Sequence, residues 1–149
     1  MVSQTFVLVS LIGLLLPAGF ASGRRLMDGM SNGSGCPKTH PLVGVEKELT
    51  TIFHEVSGTL KVVDDCTVDV TNFKYDGLGP AVFWYGASSK EGLEEPSAIN
   101  FGELPEGESH NGTSLSLRLP GGASWDDSSV LSVWCVLFAI DFGSANLKD

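Results

Sequence analysis

The chain has 149 residues, enough for one domain with its own core. Its formal net charge is −9, from 9 Lys and Arg against 18 Asp and Glu, all of them after Gly23. An acidic balance of this size disfavours nucleic acid and anionic lipid as partners and suits solubility outside the cell or docking to a basic partner.

The chain starts with a continuous apolar run, TFVLVSLIGLLLPAGF (Thr5 to Phe20), and then the small residues Ala21, Ser22 and Gly23. An apolar stretch followed by small residues is the pattern of a secretory signal. The run is shorter than the ~20 apolar residues that a bilayer-spanning helix needs. Residues 1–23 therefore read as a signal peptide cut after Ala21 or Gly23, which makes the protein secreted with no membrane span left. Residues 24–41 are rich in Gly, Ser and Pro and read as a flexible linker, and 42–149 as the folded domain.

Val45, Leu49, Ile52, Phe53 and Val56 recur at helical spacing, which predicts a short amphipathic helix at the head of the domain. Strands follow. GTLKVV and CTVDVTNFKY read as a hairpin across Asp64-Asp65, with Val68 and Val70 on one face and Thr67, Asp69 and Thr71 on the other. YDGLGP (Tyr75 to Pro80) is dense in turn residues. AVFWYG reads as an aromatic strand, in which Trp84 and the Phe83/Tyr85 pair must face opposite ways. Residues 87–112 carry six glutamates and read as a solvated loop, dispensable for folding, with a brief strand at Ala98 to Phe101. TSLSLRL alternates cleanly. The apolar stretch from Val130 to Ile140 reads as one buried central strand, too short to cross a membrane. Several short strands between turns predict an all-β protein, an antiparallel sandwich or barrel with a short N-terminal helix.

The three cysteines are Cys36, Cys66 and Cys135, an odd count that leaves one thiol over. Three intramolecular pairings are possible. Cys36–Cys66 is favoured because it ties a Gly- and Pro-rich segment to the first hairpin. In the chain-entropy model, closing a loop of about 30 residues stabilises by roughly 3–4 kcal/mol. Cys135 is then the free thiol. No C-x-x-C occurs, so neither a zinc site nor a thioredoxin-type dithiol is read. The sequons at Asn32 and Asn111 agree with export.

The segments FHEVSGTLKVVDDCTVDVTNFKYDGLGPAVFWYGA (Phe53 to Ala87), LSLRLPGG (Leu115 to Gly122) and SVWCVLFAIDFGSANL (Ser132 to Leu147) together resemble the DM-thirteen domain family. The CPKT around Cys36 is similar to plant-type members. The resemblance implies an extracellular module that accompanies DOMON domains and b-type cytochromes. It also implies a part in electron transfer through a recurrent cysteine, here Cys135. Such a module is an electron-transfer component rather than a turnover enzyme. Neither a DOMON nor a cytochrome segment is read in these residues, so the expected redox partner is a separate extracellular or membrane protein. The family's Asp-Phe-Gly-His block reads Asp141-Phe142-Gly143-Ser144 here, so no haem-ligand or proton-relay role for that imidazole carries over.

Other residues carry less. His40, His54 and His110 are scattered and fit exposed or capping roles. No cofactor is evident, and haem has little support. Asp64-Asp65 and Asp126-Asp127 fit turns, and no G-x-S-x-G nucleophile motif is present. Tyr75, Asp76, Phe83, Trp84, Tyr85 and Trp134 remain as a possible binding surface. They fit a second function class, a non-catalytic extracellular interaction module.

Overall fold

The computed structural model describes residues 35–149; the residues read as a signal peptide, most of those read as a linker and Asn32 lie outside them. Eight strands run in chain order: β1 (Glu46–Glu48), β2 (Ser57–Val62), β3 (Thr67–Tyr75), β4 (Val82–Ala87), β5 (Ile99–Leu104), β6 (His110–Arg118), β7 (Val130–Cys135) and β8 (Ile140–Asn146). They form two four-stranded antiparallel sheets, ordered β1-β2-β3-β6 and β5-β4-β7-β8. The fold is all-β, as predicted, and the sheets do not close into a barrel.

The first hairpin follows the alternation read from the sequence. Val68 and Val70 are buried between Thr67, Asp69 and Thr71, which are not. The turn is fixed by Asp64, whose carboxylate accepts the Cys66 amide at 2.9 Å and whose carbonyl accepts the indole N–H of Trp125 at 2.9 Å. Midway along β3 the register against β6 shifts between Val70 and Phe73, with Asn72 at φ +52°. This bulge inserts one residue and so changes which side chains face inward. Phe73 and Tyr75 enter the core, where uninterrupted alternation from Val70 would have sent Asn72 and Lys74.

The core lies between the sheets. Leu60, Val62, Val68, Val70, Phe73, Trp84, Leu131, Val133 and Trp125 belong to one buried cluster. Strand β7 lies between β4 and β8, and all six of its residues are buried. Leu131, Val133 and Cys135 face the main core. Val130 and Trp134 point the other way and pack with Ala87 and Leu93.

Three expectations are corrected. The helix over 45–56 is absent: Glu46–Glu48 is an edge strand paired with β2, and the rest is a loop. Amides of Thr50, Ile52 and Phe53 donate to carbonyls of Ser144 and Phe142, and His54 and Glu55 take φ +55° and +58°, which no right-handed helix accommodates. Second, the stretch Val130 to Ile140 is not one strand. It turns at Val136–Ala139 into β8, with Ala139 at φ +52°. Third, the acidic segment is structured. It holds a 3-10 helix, Glu91–Glu94, with Leu93 buried, and β5 is longer than the expected brief strand.

Candidate functional site

Cys135 ends β7, opposite Val82 of β4 and Ile140 of β8. It is a free cysteine and wholly buried. Its thiol donates to the Pro80 carbonyl at 3.2 Å. Its sulfur is not reachable past Trp134, because adjacent residues of a strand face opposite sides. Trp134 belongs to the outer cluster and Cys135 to the inner core.

The turn that covers Cys135 is the segment Tyr75 to Pro80. The Tyr75 hydroxyl accepts the Gly79 amide at 3.0 Å and donates to the Gly79 carbonyl at 3.3 Å. Thiol and phenol are thus fastened to adjacent residues of one turn. Gly79 has no room for a side chain: a Cβ would lie 2.5 Å from a Phe142 ring carbon and 2.7 Å from a Val82 methyl. Asp76 accepts the Leu78 amide at 2.9 Å, closing an Asx turn. Its carboxylate also pairs with His54 Nδ1 at 3.0 Å. The His54 ring lies 4.3 Å from that of Phe142 and 6.3 Å from that of Tyr75. Burial raises the Tyr75 phenol above its ordinary pKa, the Gly79 amide opposes this, and nearby Asp76, Cys135 and Glu106 add to the rise. The phenol is a neutral donor at physiological pH.

The remaining surface candidates separate. Trp84 is buried and stacks on Phe73 at 5.0 Å, with its indole N–H unpaired. Phe83 and Tyr85 are half-buried on the opposite face, in edge contact at 6.3 Å. Asn111 is exposed on β6. Trp134 floors a cleft of about 330 Å³ between the 3-10 helix and the β7–β8 turn, which Ile52, Lys90, Leu93 and Asp141 also line. Asp141 is held by the hydroxyls of Ser132 at 2.7 Å and Ser144 at 2.6 Å and pairs with Lys90 at 3.3 Å. Ser144 stands where the family often carries His, and its short side chain serves this carboxylate.

Sequence reasoning missed His54, read as an exposed or capping residue. Its partner Asp76 is 22 positions away, and only the β2–β3 pairing brings the two together. Haem does not fit these donors. His54 is spent on Asp76, His40 lies near Asp126, and His110 packs on Phe73. Among the described residues, one trio of possible metal ligands converges, Cys36, Asp64 and Cys66, and its two sulfurs are joined in a disulfide.

Residues 48–147 match the family model described as Electron transfer DM13. The chain belongs to the DM13 family. It is 35% identical over 123 residues to the cytochrome b561, DM13 and DOMON domain-containing protein of Arabidopsis thaliana, covering 79% of this chain and 13% of that protein. It is 32% identical over 103 residues to Protein Skeletor, isoforms B/C, of Drosophila melanogaster, covering 66% of this chain and 13% of that protein. This DM13 chain therefore spans about an eighth of the length of these curated relatives. No solved structure matches it. Among the described residues, no helix is long and apolar enough to cross a membrane.

Proposed function

We propose that this protein is a secreted electron-transfer accessory in which Cys135 exchanges single electrons with a separate redox protein. The carrying observation is the buried thiol bonded to Pro80, beside a neutral phenol fastened to the same turn. Burial prevents another sulfur from attacking Cys135, so the exchange is outer-sphere and forms no bond to the partner. In losing one electron to a strongly oxidising one-electron carrier on the partner, together with its proton, the Cys135 thiol becomes a thiyl radical. Re-reduction by one electron and one proton restores the thiol and its bond to Pro80. The description of the family as electron transfer supports this reading. So does the cytochrome b561 in the name of the Arabidopsis relative.

A second reading is an interaction module, favoured by the end of the sandwich above this turn. The exposed large apolar residues Ile52, Phe53, Leu78, Val136, Leu137 and Phe138 lie there on three neighbouring loops, with Ile140 at the start of β8. Stopped-flow reduction of a high-potential one-electron carrier protein by wild type, Cys135→Ser and Cys135→Ala separates the two. Electron transfer through Cys135 is lost in both variants while the complex still forms. Unchanged reduction in both, with both variants folded, refutes the redox reading and leaves the interaction module. Secretion is checked by N-terminal sequencing of the mature protein, which should begin at Ser22 or Arg24.

A further inference from the structure

The sulfurs accessible to another protein are not at Cys135. Cys36 and Cys66 form a disulfide with Cα atoms 5.8 Å apart, and both residues are only half-buried. They lie at the opposite end of the sandwich, roughly 30 Å from Tyr75 at the ~3.3 Å rise per residue of a strand. Two features distinguish this bond from a plain staple. The first is Arg118 at the end of β6, whose guanidinium donates to Cys36 Sγ at 3.6 Å. A guanidinium beside one sulfur favours its thiolate and makes it the better leaving group. The second is that the flanks of the two cysteines are joined without the sulfurs. Asp65, next to Cys66, accepts the amides of Thr39 and His40 at 2.8 Å each and the Thr39 hydroxyl at 2.5 Å. The Asp65 amide in turn donates to the Pro37 carbonyl at 2.8 Å. Opening the disulfide leaves these four bonds in place, so Cys36 stays beside Cys66.

We infer that Cys36–Cys66 is a reversible dithiol–disulfide site, opened by an external dithiol and closed again without unfolding. A thiolate of the external dithiol attacks Cys66 Sγ, and the electron pair of the broken S–S bond leaves on Cys36 as a thiolate facing Arg118. The external dithiol's second thiolate then attacks its own sulfur in the mixed disulfide and releases Cys66. Two electrons and two protons pass from the external dithiol, which becomes a disulfide, to Cys36 and Cys66. Asp64, with a carboxylate oxygen within 4.8 Å of both sulfurs, disfavours two thiolates at once, so the charge is borne on Cys36.

The test is native protein in dithiothreitol at graded reduced-to-oxidised ratios, with circular dichroism and mass mapping of alkylated cysteines after acid quench. The expected result is paired, reversible reduction of Cys36 and Cys66 with the β-sheet signal unchanged. Arg118→Leu should slow reduction about tenfold and Arg118→Lys should restore most of it. Asp65→Ala, which removes the three bonds to the carboxylate, should slow reclosure about tenfold or more, because the sulfurs are held together less firmly. Reduction only in denaturant, loss of the sheet signal on reduction, or a wild-type rate in Arg118→Leu would overturn the inference. None of these readouts depends on Cys135, so failure here is distinct from failure of the electron-transfer reading.

Discussion

At the residue scale, the turn over Cys135 is set by what will not fit and what must be bonded. Gly79→Ala places a methyl against Phe142 and Val82, and overpacking of this kind costs about 1–3 kcal/mol. Thermal or urea unfolding should show a loss in that range, and a neutral substitution would mean that the turn moves freely. For a buried Cys135 whose surroundings are apolar, Ala would be tolerated better than Ser, because a buried hydroxyl there would go unpaired. The Pro80 carbonyl reverses that order. Ser keeps a donor for it, whereas Ala leaves a buried acceptor unmet, a penalty of roughly 1–3 kcal/mol. Denaturant midpoints of the two variants should rank Ser above Ala. Tyr75 gives a pH signature. Its phenol is raised in the folded state, so its contribution is full below the pKa of about 10 that it has when unfolded and is lost as pH rises through the higher folded value. Stability measured from pH 9 to 12 should therefore fall less steeply in Tyr75→Phe than in wild type.

At the scale of elements, the 3-10 helix Glu91–Glu94 shows how composition misleads. Four of the six residues from Lys90 to Glu95 are charged, and the segment reads as solvated. Yet Leu93 is buried against Trp134 and Lys90 pairs with Asp141. Leu93→Ala should cost about 2–5 kcal/mol in chemical unfolding, and deletion of residues 90–95 more. A wild-type midpoint for either would restore the dispensable loop. The hairpin β2–β3 and strand β6 were legible because one face of each is covered and the other wet, which writes a period of two into the sequence. The bulge at Asn72 was not legible, since one inserted residue alters facing without altering composition. Nor was β1: a three-residue edge strand is made by its partner, and the apolar spacing of Val45, Leu49 and Val56 serves the loops on either side of that strand rather than a helix face. Of the site, the turn and the cysteine could be seen in the chain, but the His54–Asp76 pair and the Arg118–Cys36 contact arise only when strands pair.

At the scale of the whole molecule, the sandwich keeps two sulfur centres at opposite ends, one sealed and one open. The three loops with exposed apolar side chains crown the sealed end, and the leading segment is pinned at the other. Acid should loosen that pinned end. The Asp65 carboxyl is lowered chiefly by the Thr39 hydroxyl and the His40 amide, so its clamp is complete above the ordinary carboxylate pKa and is lost as pH falls through the lowered one. Strand β7 lies between these ends, paired on both edges and covered on both faces. Its amides have no local route to solvent, whereas those of β1 can fray. In heavy water, the β7 amides should exchange last and together, at the rate set by global opening. The Cys135 thiol shares that shelter, so its alkylation rate in native buffer is a gauge of the fully open population. A reagent that modifies Cys135 at the tempo of β7 hydrogen exchange would be counting unfolding events one molecule at a time.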